Sequence, residues 1–193
     1  INSLIIDMQN RARIHSAGVI VHLGSHLGAG FDTVKDQLLA VIQKILTDTK
    51  NCNLILENDA GQNGKIGSPE ELSFLINTIN DNRLKICLDS AHLFESGVDI
   101  RKVETVEKFT KLLQSLHLLD KLVCLHLNDS ATELDSHRDM HANLGKGEIG
   151  LEGLKNLVNH PAFKQLPLIL EVPGENRDGC DKFNISLAKG LVN

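Results

Sequence analysis

Eight side chains able to bind a metal recur along this chain of 193 residues. His22, Glu57, Asp89, His126 and Glu171 each close a short apolar run. His92 follows Asp89 by three residues, and Asp139 and His141 form an Asp-x-His pair. Singly they say little. A lone histidine at a strand end is usually a hydrogen-bonded structural residue, and a lone acid after a strand often caps the next helix. Jointly they say more. Three carboxylates on one sheet edge would repel one another and resist burial unless cations lay among them. Mixed imidazole and carboxylate donors suit zinc or manganese, and carboxylates can bridge neighbouring dications. Eight ligands exceed the needs of one tetrahedral ion and point to two or three.

The elements that must position these groups are legible in the runs themselves. Gly18–Val21, Asn53–Leu56, Lys85–Leu88, Leu122–Leu125 and Pro167–Leu170 read as strands of a parallel sheet buried on both faces. Their polar endpoints are 35, 32, 37 and 45 residues apart, and a strand–helix unit takes roughly 30 or more residues. All five endpoints then emerge at the C-terminal edge of the sheet, where α/β barrels build active sites. Helical spacing recurs in Val34, Leu38, Val41, Ile42 and Ile45, over about 103–117, from Leu151, and near 181–192. Ser68-Pro69-Glu70-Glu71 is a capping box with proline at the first helical position, ahead of the face Leu72, Leu75, Ile76 and Ile79. Leu4, Ile5, Met8 and Ala12 read as a helix leading into the first strand. The expected fold is α/β, a single domain over 1–193 of the TIM (β/α)8 type. About five units are visible where a closed barrel has eight, so either the sheet is open or some three N-terminal units are missing; the second is favoured.

Two connections stand out. Residues 58–67 are rich in Gly and Asn, and 128–150 form a long stretch without periodicity. Long irregular loops in compact domains are usually functional.

Composition bounds the partners. Hydrophobic residues make up 41%, enough for a core, and the net charge is −5, which gives no global basic footprint for nucleic acid. Bound dications could nevertheless reverse the sign locally. No run reaches the length of a membrane span, and no signal peptide is evident. With no Trp and no Tyr, stacking on aromatic platforms is not the main binding mode. Cys52, Cys87, Cys124 and Cys180 lack CxxC spacing and read as free, buried thiols, which implies a reducing compartment. His15, His117 and His160 read as surface or capping residues, and His137 as lying just outside the ligands.

The motifs H-L-G-S-H (22–26), E-N-x-A-G-Q (57–62), C-L-D-S-A-H (87–92), H-L-N-D-S (126–130), R-D-M-H-A-N-L-G-K-G-x-I-G (138–150) and L-I-L-E-V-P (168–173) resemble, in order, those of the endonuclease IV family of apurinic/apyrimidinic (AP) endonucleases, AP endonuclease family 2. The resemblance implies a TIM barrel with three zinc ions that cleaves DNA 5′ to an abasic residue, leaving a 3′-hydroxyl and a 5′-deoxyribose phosphate. It implies that His22 binds the first zinc, that Glu57 bridges the first and second and orients the nucleophile, that Asp89, His126 and Glu171 complete the second, and that His92, Asp139 and His141 hold the third. A further family histidine on the first zinc has no counterpart in residues 1–16, and Leu23 stands where the family motif has proline. Gln62, Lys65, Arg138 and Lys146 become the expected DNA contacts, and His26 a residue behind the ligands. The implied partner is double-stranded DNA with abasic sites, with no membrane and no obligate protein partner. The implied setting is intracellular: cytoplasm in a prokaryote, nucleus or mitochondrion in a eukaryote. Taken alone, the 193 residues are expected to lack activity or to aggregate, through an incomplete first metal position and bare sheet edges. The competing expectation is a metal-dependent sugar isomerase or epimerase on a xylose-isomerase-like barrel. It explains Glu57, Asp89, His126 and Glu171 but has no need of His92 or of the Asp139/His141 pair.

Overall fold

Each β-branched run pairs with the next in register, and the result is one parallel sheet. The structure, a computed structural model, describes residues 1–11 and 14–192. Five strands, β1 (Gly18–Val21), β2 (Asn53–Glu57), β3 (Leu84–Asp89), β4 (Leu122–His126) and β7 (Leu168–Ile169), lie in the order β1-β2-β3-β4-β7, every pair parallel. Burial on both faces of β2, β3 and β4 explains why those runs are apolar throughout, whereas β1 is only half-buried and Ile169 of β7 is exposed. Leu54, Leu56, Ile86, Leu88 and Leu125 face the main core, where they meet the helices. Ile55, Cys87 and Cys124 alternate with them and form a small second cluster with Ile20 and Val123. A shift in the β3–β4 register between Ile86 and Cys87 sets Asp89 directly opposite His126.

Helices α1 (Asn2–Asn10), α2 (Phe31–Asp48), α3 (Pro69–Ile79), α5 (Val103–Ser115), α6 (Gly150–Val158) and α7 (Lys182–Leu191) match the periodic segments. Ala12, expected in the first helix, lies outside the described residues. The capping box forms as read: Ser68 Oγ accepts from Glu71 N, while Glu71 Oε2 accepts from Ser68 N and Gly67 N.

Four expectations need correction. The last strand is shorter than Pro167–Leu170, because only Leu168 and Ile169 pair in register with β4, although Pro167 O accepts from Leu125 N. A further helix, α4 (Ser90–Glu95), follows β3 directly; six residues are too few to show a period. Cys180 is exposed, unlike the buried Cys52, Cys87 and Cys124, because its loop lies at the surface; all four are free. The long loop is also not featureless, since β5 (Asp129–Ser130) and β6 (His141–Ala142) pair antiparallel within it. No helix among the described residues is long and apolar enough to cross a membrane.

Candidate metal centre

Where the backbone ladder stops, side-chain amides continue it. Asn58, just past β2, accepts from Asp89 N through Oδ1 at 2.6 Å and donates through Nδ2 to Asp89 O. Asn128, just past β4, donates to Asp89 Oδ2 at 2.6 Å and accepts from Glu171 N at 2.8 Å. The ends of β2, β3, β4 and the segment after β7 are thereby tied together at the C-terminal edge. Asp89 does two jobs with two oxygens. Oδ1 caps α4 by accepting from Ala91 N and His92 N, and Oδ2 faces inward, 3.6 Å from His141 Nε2.

The long loop is held by Asp129, fully buried, whose carboxylate accepts from the backbone N–H groups of Ser130, Gly145, Gly147, Ile149 and Gly150. Gly147 is required there: a Cβ would collide with Ser130 O. The β5–β6 ladder then presents Asp139 and His141 to the strand ends.

The imidazoles are oriented by their outer nitrogens. His92 Nδ1 lies 2.9 Å from Asn58 O, and His141 Nδ1 lies 3.4 Å from Glu171 O. A carbonyl only accepts, so in the neutral ring Nδ1 carries the proton and Nε2 is the nitrogen free to bind metal. Both Nε2 atoms are buried without a hydrogen-bond partner. His92 Nε2 comes within 3.2 Å of Asp139 Oδ1 yet lacks hydrogen-bond alignment. At His92 and His141, donors aimed at a shared point instead of at each other suit a dication. Two ligands at about 2.0–2.1 Å on a tetrahedral zinc stand about 3.3 Å apart. The separations here bracket that: 3.5 Å for His22 Nε2–Glu57 Oε2, 3.2 Å for His92–Asp139 and 3.6 Å for His141–Asp89, while His126 Nδ1 bonds directly to Glu57 Oε1 at 2.7 Å.

Three groups of donors have ligand atoms all within 4.8 Å of one another: Glu57, Asp89, His126 and Glu171; Asp89, His92 and His141; and His92, Glu95 and Asp139. The first matches the set expected for the second zinc. The expected trio His92, Asp139 and His141 is divided between the other two, sharing His92. His22 lies beside Glu57 at the exposed rim and belongs to none of the three.

Asp59, followed by Glu57, draws the His22 pKa up against burial. Burial opposes charge on His92, but Asp89, Asp139 and Glu57 carry it to about 10. Burial likewise opposes charge on His126, and hydrogen bonds to Glu171 and Glu57 take it to about 10. Asp139 is held well below the usual carboxylate range by His92, against burial, and by Lys65. His126 lowers Glu171.

The other expected site residues are spread out. Gln62 Oε1 accepts from Asp139 N, and Lys65 Nζ is drawn inward, 2.8 Å from Asp139 Oδ2 and 3.5 Å from Asp59 Oδ2. Arg138 and Lys146 are exposed on the long loop. His26 lies apart from the ligands in its contacts: Nδ1 accepts from Gly28 N and Gly30 N, and the ring packs against Gly64, so it staples two loops. His137 Nδ1 binds Ala60 O.

Four buried residues escaped the sequence reading: Asp59, Glu95, Asn58 and Asn128. The asparagines sit one and two residues past expected ligands, a signal that was available. Asp59 lay hidden in a loop read as Gly/Asn-rich. Glu95 is three residues past His92, on the same helix face.

Comparison with known proteins bears on the family and the fold. A family model described as "Xylose isomerase-like TIM barrel" matches residues 2–188. "Probable endonuclease 4" of Haloquadratum walsbyi is 34% identical over 100% of this chain and 68% of its own length. The chain belongs to the endonuclease IV family. "Probable endonuclease 4" of Thermosipho africanus is 37% identical over 90% of this chain. The crystal structure of endonuclease IV from Thermus thermophilus superposes with a TM-score of 0.80 at 30% identity, covering 98% of this chain and 66% of that one. The fold is therefore that of the TIM barrel, and the five parallel strands are part of such a barrel. The chain spans 62% of the Thermosipho endonuclease 4.

Proposed function

We propose that this endonuclease IV family member hydrolyses the phosphodiester bond 5′ to an abasic site in double-stranded DNA, with zinc as its metal, three ions in a complete barrel, and manganese as the substitute. The observation that carries the reading is the pair of buried, unpartnered Nε2 atoms of His92 and His141, set among Asp89 and Asp139. A sugar isomerase served by Glu57, Asp89, His126 and Glu171 has no use for them.

The residues fit dications. Glu57, Asp89, His126 and Glu171 would hold one; His92 and His141, with Asp89 or Asp139, another; His22 and Glu57 a third, short of one ligand. Bound there, dications would supply Lewis-acid charge for phosphoryl oxygens and activate water near neutral pH. The chain's own part is to converge the donors, to fix their tautomers and to leave the rim open at His22 and Glu171, whose side chains are 43% and 46% exposed. Glu57, facing both His22 and His126, is the residue best set to orient the attacking oxygen. Arg138 and Lys146 would meet phosphates, and Lys65 would join them once metal engages Asp139. An abasic nucleotide has no base to unstack, so its extrusion is cheap. The reduced, buried cysteines support an intracellular setting.

The test is incision of a duplex oligonucleotide carrying one abasic analogue by a zinc-loaded barrel of eight strands built on this chain. Nicking on the 5′ side, with a 3′-hydroxyl end, is expected. An intact duplex would sink the reading, and full activity after His141→Ala would refute the role of His141.

A further inference from the structure

Glu95 is completely buried on α4, three residues from His92, and it uses only half of its carboxylate. Oε1 accepts from Ser130 Oγ at 2.7 Å, from Thr132 Oγ1 at 3.3 Å and from Met140 N at 3.3 Å. Oε2 is buried with no partner. Neither form of the acid mends this: ionised, Oε2 lacks a donor; protonated, its O–H lacks an acceptor. A buried unsatisfied polar atom costs on the order of 1–3 kcal/mol, so its retention calls for an occupant. Stapling the loop does not explain it, since a glutamine oxygen would serve Ser130, Thr132 and Met140 equally.

The occupant's position is defined by the neighbours. One ligand atom each from His92, Glu95 and Asp139 lies within 4.8 Å of the others, and His92 Nε2 is likewise buried and unpartnered. Two donors at about 2.0–2.2 Å on one ion are at most about 4.4 Å apart, so small side-chain shifts close the site. We propose that Glu95 is a direct ligand of the cation held by His92 and Asp139, making this an anionic, oxygen-rich position that takes Mn²⁺ as well as Zn²⁺. Hard carboxylate donors suit manganese better than an imidazole-dominated set does. The inference rests on the metal reading of the site and adds to it a ligand from α4.

Glu95→Gln isolates Oε2, because it keeps an acceptor for the loop and replaces the inward oxygen with an NH2 group. Mn²⁺ and Zn²⁺ are titrated separately into the chain and the variant by calorimetry, with Mn²⁺ electron paramagnetic resonance as the spectroscopic readout. We expect Glu95→Gln to lose one Mn²⁺ equivalent, or to weaken it by roughly 10–100-fold, with an altered Mn²⁺ spectrum. Unchanged stoichiometry, affinity and spectrum overturn the role of Glu95 and leave the metal reading standing. A parent chain that binds no cation overturns both. Ser130→Ala guards against a misfolded Gln variant: it removes the shortest Oε1 contact and spares Oε2. The Mn²⁺ equivalent persists in Ser130→Ala if Glu95 is a ligand, and is lost if Glu95 serves only the loop.

Discussion

Asp59 Oδ2 lies 3.3 Å from His22 Nδ1, on the far side of the ring from Glu57, whose Oε2 is 3.5 Å from Nε2. Oδ2 makes no aligned hydrogen bond there, but a carboxylate charge behind an imidazole strengthens the opposite nitrogen as a metal donor. Asp59→Asn keeps the bond from Gly61 N to Oδ1 and removes the charge behind His22. We expect metal affinity at the His22/Glu57 position to fall roughly 10–100-fold, read by competition with a chromophoric chelator. Unchanged affinity would reduce Asp59 to a loop residue.

Metal-free stability has a defined pH window. His92 and His126 ionise at about 10 against 6.5 unfolded, so their contribution is full below about pH 6.5 and lost as pH rises toward about 10. The depressed carboxyls of Asp59, Asp139 and Glu171 contribute above the usual carboxylate range, and that contribution is lost as pH falls through their lowered values. The metal-free chain should be most stable between about pH 4.5 and about pH 6.5. Metal competes with the same imidazole protons. The rise in Tm caused by zinc should therefore grow from about pH 6 to about pH 9, as followed by thermal unfolding at several pH values. A zinc effect that is flat or falling over this range would contradict the assignment.

Asp129→Asn should cost about 3 kcal/mol, because the new NH2 group faces N–H donors that the carboxylate satisfied. Urea unfolding measures it. A loss under about 0.5 kcal/mol, the range of an ordinary surface change, would show that the 128–150 loop is held by other contacts.

Arg138→Ala and Lys146→Ala should each raise KM for abasic duplex while sparing kcat, and each should reduce the salt slope of binding by about 1. These exposed side chains touch none of the ligand donors. A fall in kcat at constant KM would place them nearer the chemistry than the proposal does.

The ends of β2, β3 and β4 were legible because a parallel strand buried on both faces is an uninterrupted apolar run, and its first polar residue marks the edge; half-buried β1 gave the same signal before His22. The helices were legible where burial repeats over several turns, as in Leu72, Leu75 and Ile76. Short elements were not: α4 has no period to detect, and β7 stops after two pairs although its apolar run continues. Glu95 and Asp59 were missed for a different reason. Their importance comes from buried, unshared oxygens, and burial of an acid is set by what packs around it. His26 shows the converse. Its place beside a ligand motif suggested contact with the ligands, but the glycines after it leave backbone N–H groups that its ring accepts from instead.

Asn58 and Asn128 carry a consequence beyond holding the strand ends together. The groups that face the centre are imidazoles and carboxylates, whose charge a bound metal would offset. The frame joining Asp89, Glu171 and the ends of β2 and β4 is made from carboxamides, which titrate nowhere in the working range of a protein. The charge of the centre can therefore change with metal loading while the two amides that tie Asp89, Glu171 and the strand ends together stay electrically neutral.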